Sequence, residues 1–321
     1  MTNDLAAITC FFSYVKNPYA IKRYKEFSQN LERQGVKLYT VELAFNDEDF
    51  LLDDDVYLRL RSDTVLWHKE ALLNLLVKRL PPHVKKVAWL DADIFINDDN
   101  WVNKASHALE EYELVQMGEE FNFLKESTLN SGNWDTKERS SMKTIGWAYI
   151  NEPSKKCDFK YHHVGLGWAA KRAFFENVGL FDYDVTGTGD TITYFSSAGL
   201  MQENETAWVR DYYKKNSPSI LPHLEEYKKK AYNFVQGKVS YLDTVINHRY
   251  HCPVKRRGYY SRMDLLKGIN YKEDLVRDKN HLFEWKNKSM NKPFEIFFSR
   301  KDTHVDQKCE YYNIDKYYET T

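Results

Sequence analysis

What most limits the fold of this chain is the alternation of short apolar runs with amphipathic stretches across its first ninety residues. Ala6–Phe12 reads as a buried strand, and Pro18–Leu31 as a helix with Ile21, Tyr24, Phe27 and Leu31 on one face. Gly35 ends that helix, and Val36–Leu43 reads as a second strand. The acidic run Asp47–Asp55 is a solvated loop, after which Leu66–Leu80 forms a helix stopped by Pro81 and Pro82. Val84–Leu90 is a third strand, with Asp91-Ala92-Asp93 at its carboxyl end. Strands and helices at this spacing predict an α/β fold, a mostly parallel sheet with helices on both faces. Ligands of such sheets bind beyond the carboxyl ends of the strands, which puts Asp91 and Asp93 at the functional edge.

Further along, Trp101–Glu111 reads as a helix and Leu114–Met117 as a strand, while Lys125–Cys157 is polar and reads as a long surface loop over the site. A Gly-bearing strand (Gly165–Ala169) leads into a helix (Lys171–Val178), then a Gly-rich loop ending at Asp190 and a helix at Thr191–Ser197. Ala207–Phe234 is largely helical, and Val239–Tyr250 is a strand running into His251. The remainder, Cys252–Thr321, is basic and aromatic, with short helices near Met263 and Phe294. Neither a linker nor an internal repeat interrupts this order, so one domain with a C-terminal extension is expected.

Composition excludes several classes. With 46 basic against 47 acidic side chains, the net charge is −1, too small for a bulk field toward nucleic acid or a lipid surface. A hydrophobic content of 42% is too high for a disordered chain. The cysteines Cys10, Cys157, Cys252 and Cys309 are scattered and form no CxxC, so neither a disulfide framework nor a zinc knuckle is expected. The N-terminal stretch has no basic region before its short apolar run, and no segment reaches the length of a membrane span. The expectation is a soluble, cytoplasmic protein without a membrane span or nucleic-acid partner.

Four constellations carry chemistry. In WLDADIFIND, two carboxylates at i and i+2 on a strand end can face one divalent cation, Mg²⁺ or Mn²⁺, that keeps positions open for phosphate oxygens. The bland alternative is a polar turn closing a strand. His248 and His251 offer an imidazole as a further metal ligand, or are simply hydrogen-bonded histidines. Gly187-Thr188-Gly189-Asp190 lets backbone approach a ligand and places a carboxylate as general base, or else Asp190 caps the next helix. Trp67-His68-Lys69 opens a helix, with Lys69 for a phosphate and Trp67 for stacking, unless Trp67 is core. The stretch Lys255-Arg256-Arg257 with Tyr259, Tyr260 and Arg262 suits a diphosphate or a solvated face. Trp168 and Trp147 are candidate sugar platforms. There is no GxxxxGK[ST], and the first strand leads into no GxGxxG.

Taken in order, the stretches LWHKEALLNLLVKRLPPHVKKVAWLDADIFINDDNW, GLGWAAKRAFFENVGLFDYDVTGTGDT and TVINHRYH resemble nucleotide-sugar glycosyltransferases of the GT-A type. The nearest patterns are those of the β-1,4-galactosyltransferase group and related bacterial or viral glycosyltransferase-like proteins. The resemblance implies a Rossmann-like domain over residues 1–252, with a donor half of about 1–103 and an acceptor half of about 104–252. Residues 253–321 would be a helical extension on the same domain. It implies Asp93 as principal metal ligand with His248, His251 competing for that place, and Asp91 contacting the donor's ribose or the metal shell. Trp67, Lys69, Gly167, Trp168 and Arg257 would join Asp91 in donor binding, and Asp190 would be the base of an inverting enzyme. The implied partners are a UDP- or GDP-sugar donor and a glycan or glycoconjugate acceptor, with Mn²⁺ or Mg²⁺ as cofactor. Two departures stand out: the family's Trp-Gly-Gly-Glu-Asp is reduced to Gly187-Thr188-Gly189-Asp190, and Val245 stands where the family carries a metal-binding Met. The rival readings are a sugar nucleotidyltransferase, which the missing Gly-rich N-terminal phosphate loop disfavours, and a catalytically inactive sugar- or nucleotide-binding protein.

Overall fold

The computed structural model describes residues 4–301 apart from 54–55, 129–133, 135, 157, 159–160, 203–205 and 251–260. The strand-helix opening builds as the sequence predicts: β1 (Leu5–Phe11), α1 (Pro18–Arg33), β2 (Leu38–Phe45), β3 (Leu58–Ser62), α2 (Lys69–Arg79) and β4 (Lys86–Leu90). Pro18 at the first turn of α1 needs no amide partner there, and Asn17 caps it by accepting from the Tyr19 amide at 2.9 Å. There follow β5 (Ile94–Ile96), α3 (Trp101–Glu111), β6 (Leu114–Gln116), β7 (Glu120–Leu124), β8 (Arg139–Thr144), α4 (Ile145–Asn151), β9 (His162–His163) and β10 (Gly167–Lys171). The second half adds α5 (Arg172–Asn177), α6 (Gly189–Ser197), α7 (Ala207–Asn216), α8 (Leu221–Val235), β11 (Val239–Tyr241) and β12 (Val245–His248). Past the undescribed stretch come α9 (Tyr271–Asp274), the β13 (Leu275–Arg277)–β14 (Phe283–Trp285) hairpin and α10 (Asn291–Lys301).

Among the described residues the main sheet has seven strands in the order β11-β6-β10-β4-β1-β2-β3. Its neighbours pair in parallel except at β10, which runs antiparallel to both β4 and β6. The α/β, mostly parallel, Rossmann-like architecture expected of a GT-A chain is therefore present. Alternation along each strand divides the core in two. Ala6, Ile8, Val87 and Trp89 face α2, whose Leu72, Leu73, Leu76 and Val77 are buried. Leu5, Ala7, Ala88 and Leu90 face the other way, toward Phe27 and Leu31 of α1 and Trp101, Ala105 and Leu109 of α3. Both faces are covered, which is why these strands read as continuous apolar runs. Beyond β4 a smaller sheet, β5-β12-β7-β8-β9, is laid against the first.

Three features depart from what the sequence signals. The expected loop Lys125–Cys157 contains β8 and α4; the residues of β8, Arg-Ser-Ser-Met-Lys-Thr, are mostly exposed or half-buried, so no apolar alternation marks them. The expected strand Val239–Tyr250 is two strands, β11 in the main sheet and β12 in the small one. The Leu242 amide still donates to Gln116 O at 2.9 Å, and Thr244 Oγ1 donates to Met117 O at 2.6 Å as the chain crosses over. The third is β3, an edge strand in a stretch that shows no signal; Arg59 ties it to the buried Glu42 of β2 at 3.3 Å. The extension includes a β-hairpin besides helices, and α10 reaches back to the body. Phe298 stacks on Tyr14 with centroids 4.7 Å apart, and Asn291 Oδ1 accepts from the Val65 amide at 2.7 Å. Among the described residues no helix is long and apolar enough to cross a membrane.

Candidate functional site

Asp91 follows the last residue of β4 in the main sheet, and Asp93 precedes the first residue of β5 in the small sheet, so the Asp-Ala-Asp turn is the junction of the two. The Asp91 amide donates to Leu166 O at 3.0 Å, which ties the turn to the entry of β10. Leu166 is 5% exposed and holds φ +79°, a conformation a branched residue adopts only under constraint. This turn brings Gly165 beside the site, where an added Cβ would lie 3.4 Å from Asp190 Oδ2.

Lys69, the first residue of α2, is the centre of the first cluster. Its Nζ lies 2.7 Å from Asp91 Oδ1 and 3.0 Å from Asp190 Oδ2. Burial works against the ammonium charge, but Asp190, Asp91 and Glu70 together outweigh it and raise Lys69 well above its ordinary value. Burial raises Asp91, with Asp190 and Asp93 adding to the shift and Lys69 opposing it. Glu70, next on α2, is buried and pushed up to about 8, chiefly by burial and against the pull of Lys69. A Cβ on Gly189 would overlap the Glu70 carboxyl, so only glycine fits at that point of α6. The Cys10 thiol of β1 faces the same charges, and burial raises it.

Asp190 lies within the first turn of α6, not at its cap; the cap position is Thr188, which makes no side-chain capping bond. The capping reading of Asp190 is thereby corrected, since its Oδ2 is spent on Lys69. The preceding loop is tied by a residue to which sequence reasoning gave no role. Asp184, 1% exposed, accepts from the Thr186 amide at 2.8 Å, Thr186 Oγ1 at 2.5 Å and the Gly187 amide at 3.1 Å. It also accepts from the hydroxyls of Thr188 and Tyr213. The run Asp-x-Thr-Gly-Thr was the available signal, because Asp bonds amides two residues on. Gly187 holds φ +105°, and an added Cβ would lie 3.0 Å from the Trp67 ring.

Trp67 braces that loop. Its amide donates to Val185 O at 3.0 Å, and its ring meets Phe12 edge-on at 5.5 Å and stacks on Phe298 at 6.2 Å. Gly167 and Trp168, expected at the donor, are core instead. Trp168 is 2% exposed and donates Nε1–H to Val164 O at 2.7 Å, while a Cβ on Gly167 would lie 2.9 Å from the Leu90 side chain. A buried ring whose polar atom is satisfied internally offers no platform to a sugar. Trp147 is half-buried and stacks on His162 at 6.3 Å.

The second cluster belongs to the small sheet. Asp93 Oδ2 lies 3.5 Å from Nε2 of His248, whose ring is 2% exposed and packs against Phe123 at 5.5 Å. His251 and Arg257 lie outside the described residues. Among the described residues no group of three His, Cys, Asp or Glu is placed to hold a metal. The Asp93–His248 pair is a two-ligand set of mixed oxygen and nitrogen. A cation held there would take the carboxylate oxygen as Mn²⁺ or Mg²⁺ prefer, and would need most of its ligands from a diphosphate and water. Asp91 is otherwise engaged, because Lys69 already supplies its counter-charge. A cleft of about 600 Å³ lies elsewhere, at the amino ends of β1 and β4, lined in part by Asp4, Lys85, Lys86, Glu110 and Lys171. Two of its cations are paired internally, Lys86 with Glu110 and Lys171 with Glu113 at 3.0 Å.

No family profile and no characterised protein matches the chain in sequence. Solved structures similar to it include the catalytic domain of Drosophila β1,4-galactosyltransferase 7 in complex with xylobiose, at 14% identity and a TM-score of 0.31. That match covers 59% of this chain and 58% of that domain, so the chain spans under two thirds of its length. The glucosyl-3-phosphoglycerate synthase of Mycobacterium tuberculosis, in complex with Mn²⁺, UDP and phosphoglyceric acid, is similar at 10% identity over 88% of this chain and 87% of that one, with a TM-score of 0.35. The mannosyl-3-phosphoglycerate synthase of Rubrobacter xylanophilus is similar at 9% identity over 88% and 83%, with a TM-score of 0.38. These likenesses to GT-A glycosyltransferases are distant, and the chemistry of this chain is read from its own residues.

Proposed function

We propose that the chain is a metal-dependent glycosyltransferase that moves a sugar from a nucleoside-diphosphate sugar to a hydroxyl of a glycan or glycoconjugate, with inversion at the anomeric carbon. Residues 1–252 would form the catalytic domain and 253–321 its extension. The observation that carries this reading is the meeting of two clusters at one strand-end turn, Lys69–Asp91–Asp190 on one side and Asp93–His248 on the other. Asp93 and His248 would hold the cation, which when bound neutralises charge on the departing diphosphate. Lys69 presents a buried ammonium to the same anion, and Asp91 orients that ammonium. Asp190, with a fifth of its side chain exposed, accepts the proton of the acceptor hydroxyl as that oxygen attacks.

The Lys69–Asp190 ion pair also favours a second reading, a protein that binds the nucleotide sugar without turning it over. Thermal shift with a panel of UDP- and GDP-sugars in Mn²⁺ identifies a donor, because a bound ligand raises the melting temperature by mass action. Donor hydrolysis and transfer are then measured with that sugar. Turnover that requires the cation supports the transferase; binding without turnover supports the second reading; no shift with any nucleotide removes both.

A further inference from the structure

Arg249 follows His248 directly and is 1% exposed, a guanidinium buried where the small sheet meets α1. Its Nη2 lies 2.9 Å from Glu26 Oε2 on α1, its Nη1 donates to Thr128 O at 3.3 Å, and its plane lies 4.0 Å from the centroid of the Trp134 ring. The Arg249 backbone amide donates to Asp93 O at 2.9 Å, extending the antiparallel β12–β5 ladder by one bond beyond the His248–Ile94 pair. The side chain is therefore clamped by three separate segments while the main chain holds the carbonyl of one candidate ligand and adjoins the other. Burying an ion pair contributes little net stability, because desolvation offsets the attraction; in some proteins what a buried polar or ionic group supplies instead is register. The β12–β5 ladder needs that register, since a slip of one residue would turn His248 to the opposite face of the sheet.

We infer that Arg249, anchored by Glu26 and the Trp134 ring, is a positioning residue that holds Asp93 and His248 at the spacing a divalent cation requires. The inference rests on the proposed cation site and concerns groups that never touch the cation. Groups behind metal ligands typically change affinity by about 10- to 100-fold when altered.

The test is Mn²⁺ binding, measured by calorimetry and by the electron paramagnetic resonance of the free ion, on the full chain with UDP or GDP present to supply the ligands that Asp93 and His248 do not. Arg249→Lys keeps the charge but loses the planar fork and the ring stack, and is expected to weaken Mn²⁺ binding by about tenfold or more. Glu26→Gln, a partly exposed helix position remote from the turn, is expected to weaken it in the same direction by less, and stays informative if Arg249→Lys does not fold. Asp93→Asn serves as the reference. Affinity lost in Asp93→Asn but unchanged in both other variants, with only the melting temperature lowered, overturns the inference and leaves the cation site standing. Affinity unchanged in Asp93→Asn overturns the cation site and the inference together.

Discussion

Asp91 and Asp93 are separated by one alanine, yet they belong to different parts of the molecule and keep different company. Asp91 follows a strand of the main sheet and faces Lys69, which reaches across from α2 and bonds Asp190 as well. Asp93 starts a strand of the small sheet and faces the imidazole of His248. The first cluster is centred on the Lys69 ammonium; in the second, Asp93 meets an imidazole nitrogen. A pair of aspartates at i and i+2 thus has two different sets of partners here. The sheet junction between them separates the pair into a carboxylate bonded to Lys69 and one facing His248.

The sharpest way to break this contrast is at Asp190. If it is the base, Asp190→Asn leaves donor affinity nearly unchanged and lowers transfer by about 100-fold or more, the scale of a positioned general base. Turnover close to wild type would remove it from the mechanism and leave its bond to Lys69 as its role. Next in size is the aspartate pair itself. Asp93→Asn should weaken Mn²⁺ binding by at least about tenfold, while Asp91→Asn, whose carboxylate serves Lys69, should change it several-fold less. Equal losses in a Mn²⁺ titration would show that both ligate one ion and dissolve the distinction. Third, Gly189→Ala forces a methyl into the Glu70 carboxyl and should destabilise the fold by about 1–3 kcal/mol in urea unfolding, as overpacking does. Most of that loss should disappear in a Glu70→Ala background.

The last test bears on the first cluster's charge balance, through pH. The folded-state value of Glu70, about 8, lies above its ordinary 4.5, so the folded protein retains a proton that the unfolded chain releases. Stability should therefore fall as pH rises from about 4.5 to 8, and the cost is complete above that window. Glu70→Gln removes the titration and should gain stability relative to wild type at pH 9, with little gain at pH 4, read from urea unfolding at the two pH values. A difference between the two proteins that does not vary with pH would place the Glu70 proton elsewhere.

The main sheet was legible because its strands are buried on both faces and its helices carry one apolar stripe; β1, α1, β2, α2 and β4 all stand within a few residues of where periodicity put them. The small sheet was not. β8 is polar because it is mostly exposed, β5 is three residues long, and the chain leaves the main sheet between β11 and β12 without a glycine or proline to mark the exit. Of the site, Asp91, Asp93, Asp190, Lys69 and His248 were each singled out from local pattern, and the fold gathers them into two clusters. Trp168 was misread because an aromatic beside glycines looks the same whether it faces a ligand or the core. Arg249 and Asp184 were passed over, since the value of each lies in partners that local pattern does not reveal.

Period and punctuation are local properties, and they were enough to determine the parallel α/β core and its carboxyl edge, with an Asp-x-Asp turn at that edge. Which carboxylate answers to which cation is a matter of charges brought within 3 Å across 121 residues in the case of Lys69 and Asp190. Coulomb attraction between buried groups depends on distance and desolvation in space, not on separation along the chain. That allocation was decided only when the two sheets met between Asp91 and Asp93.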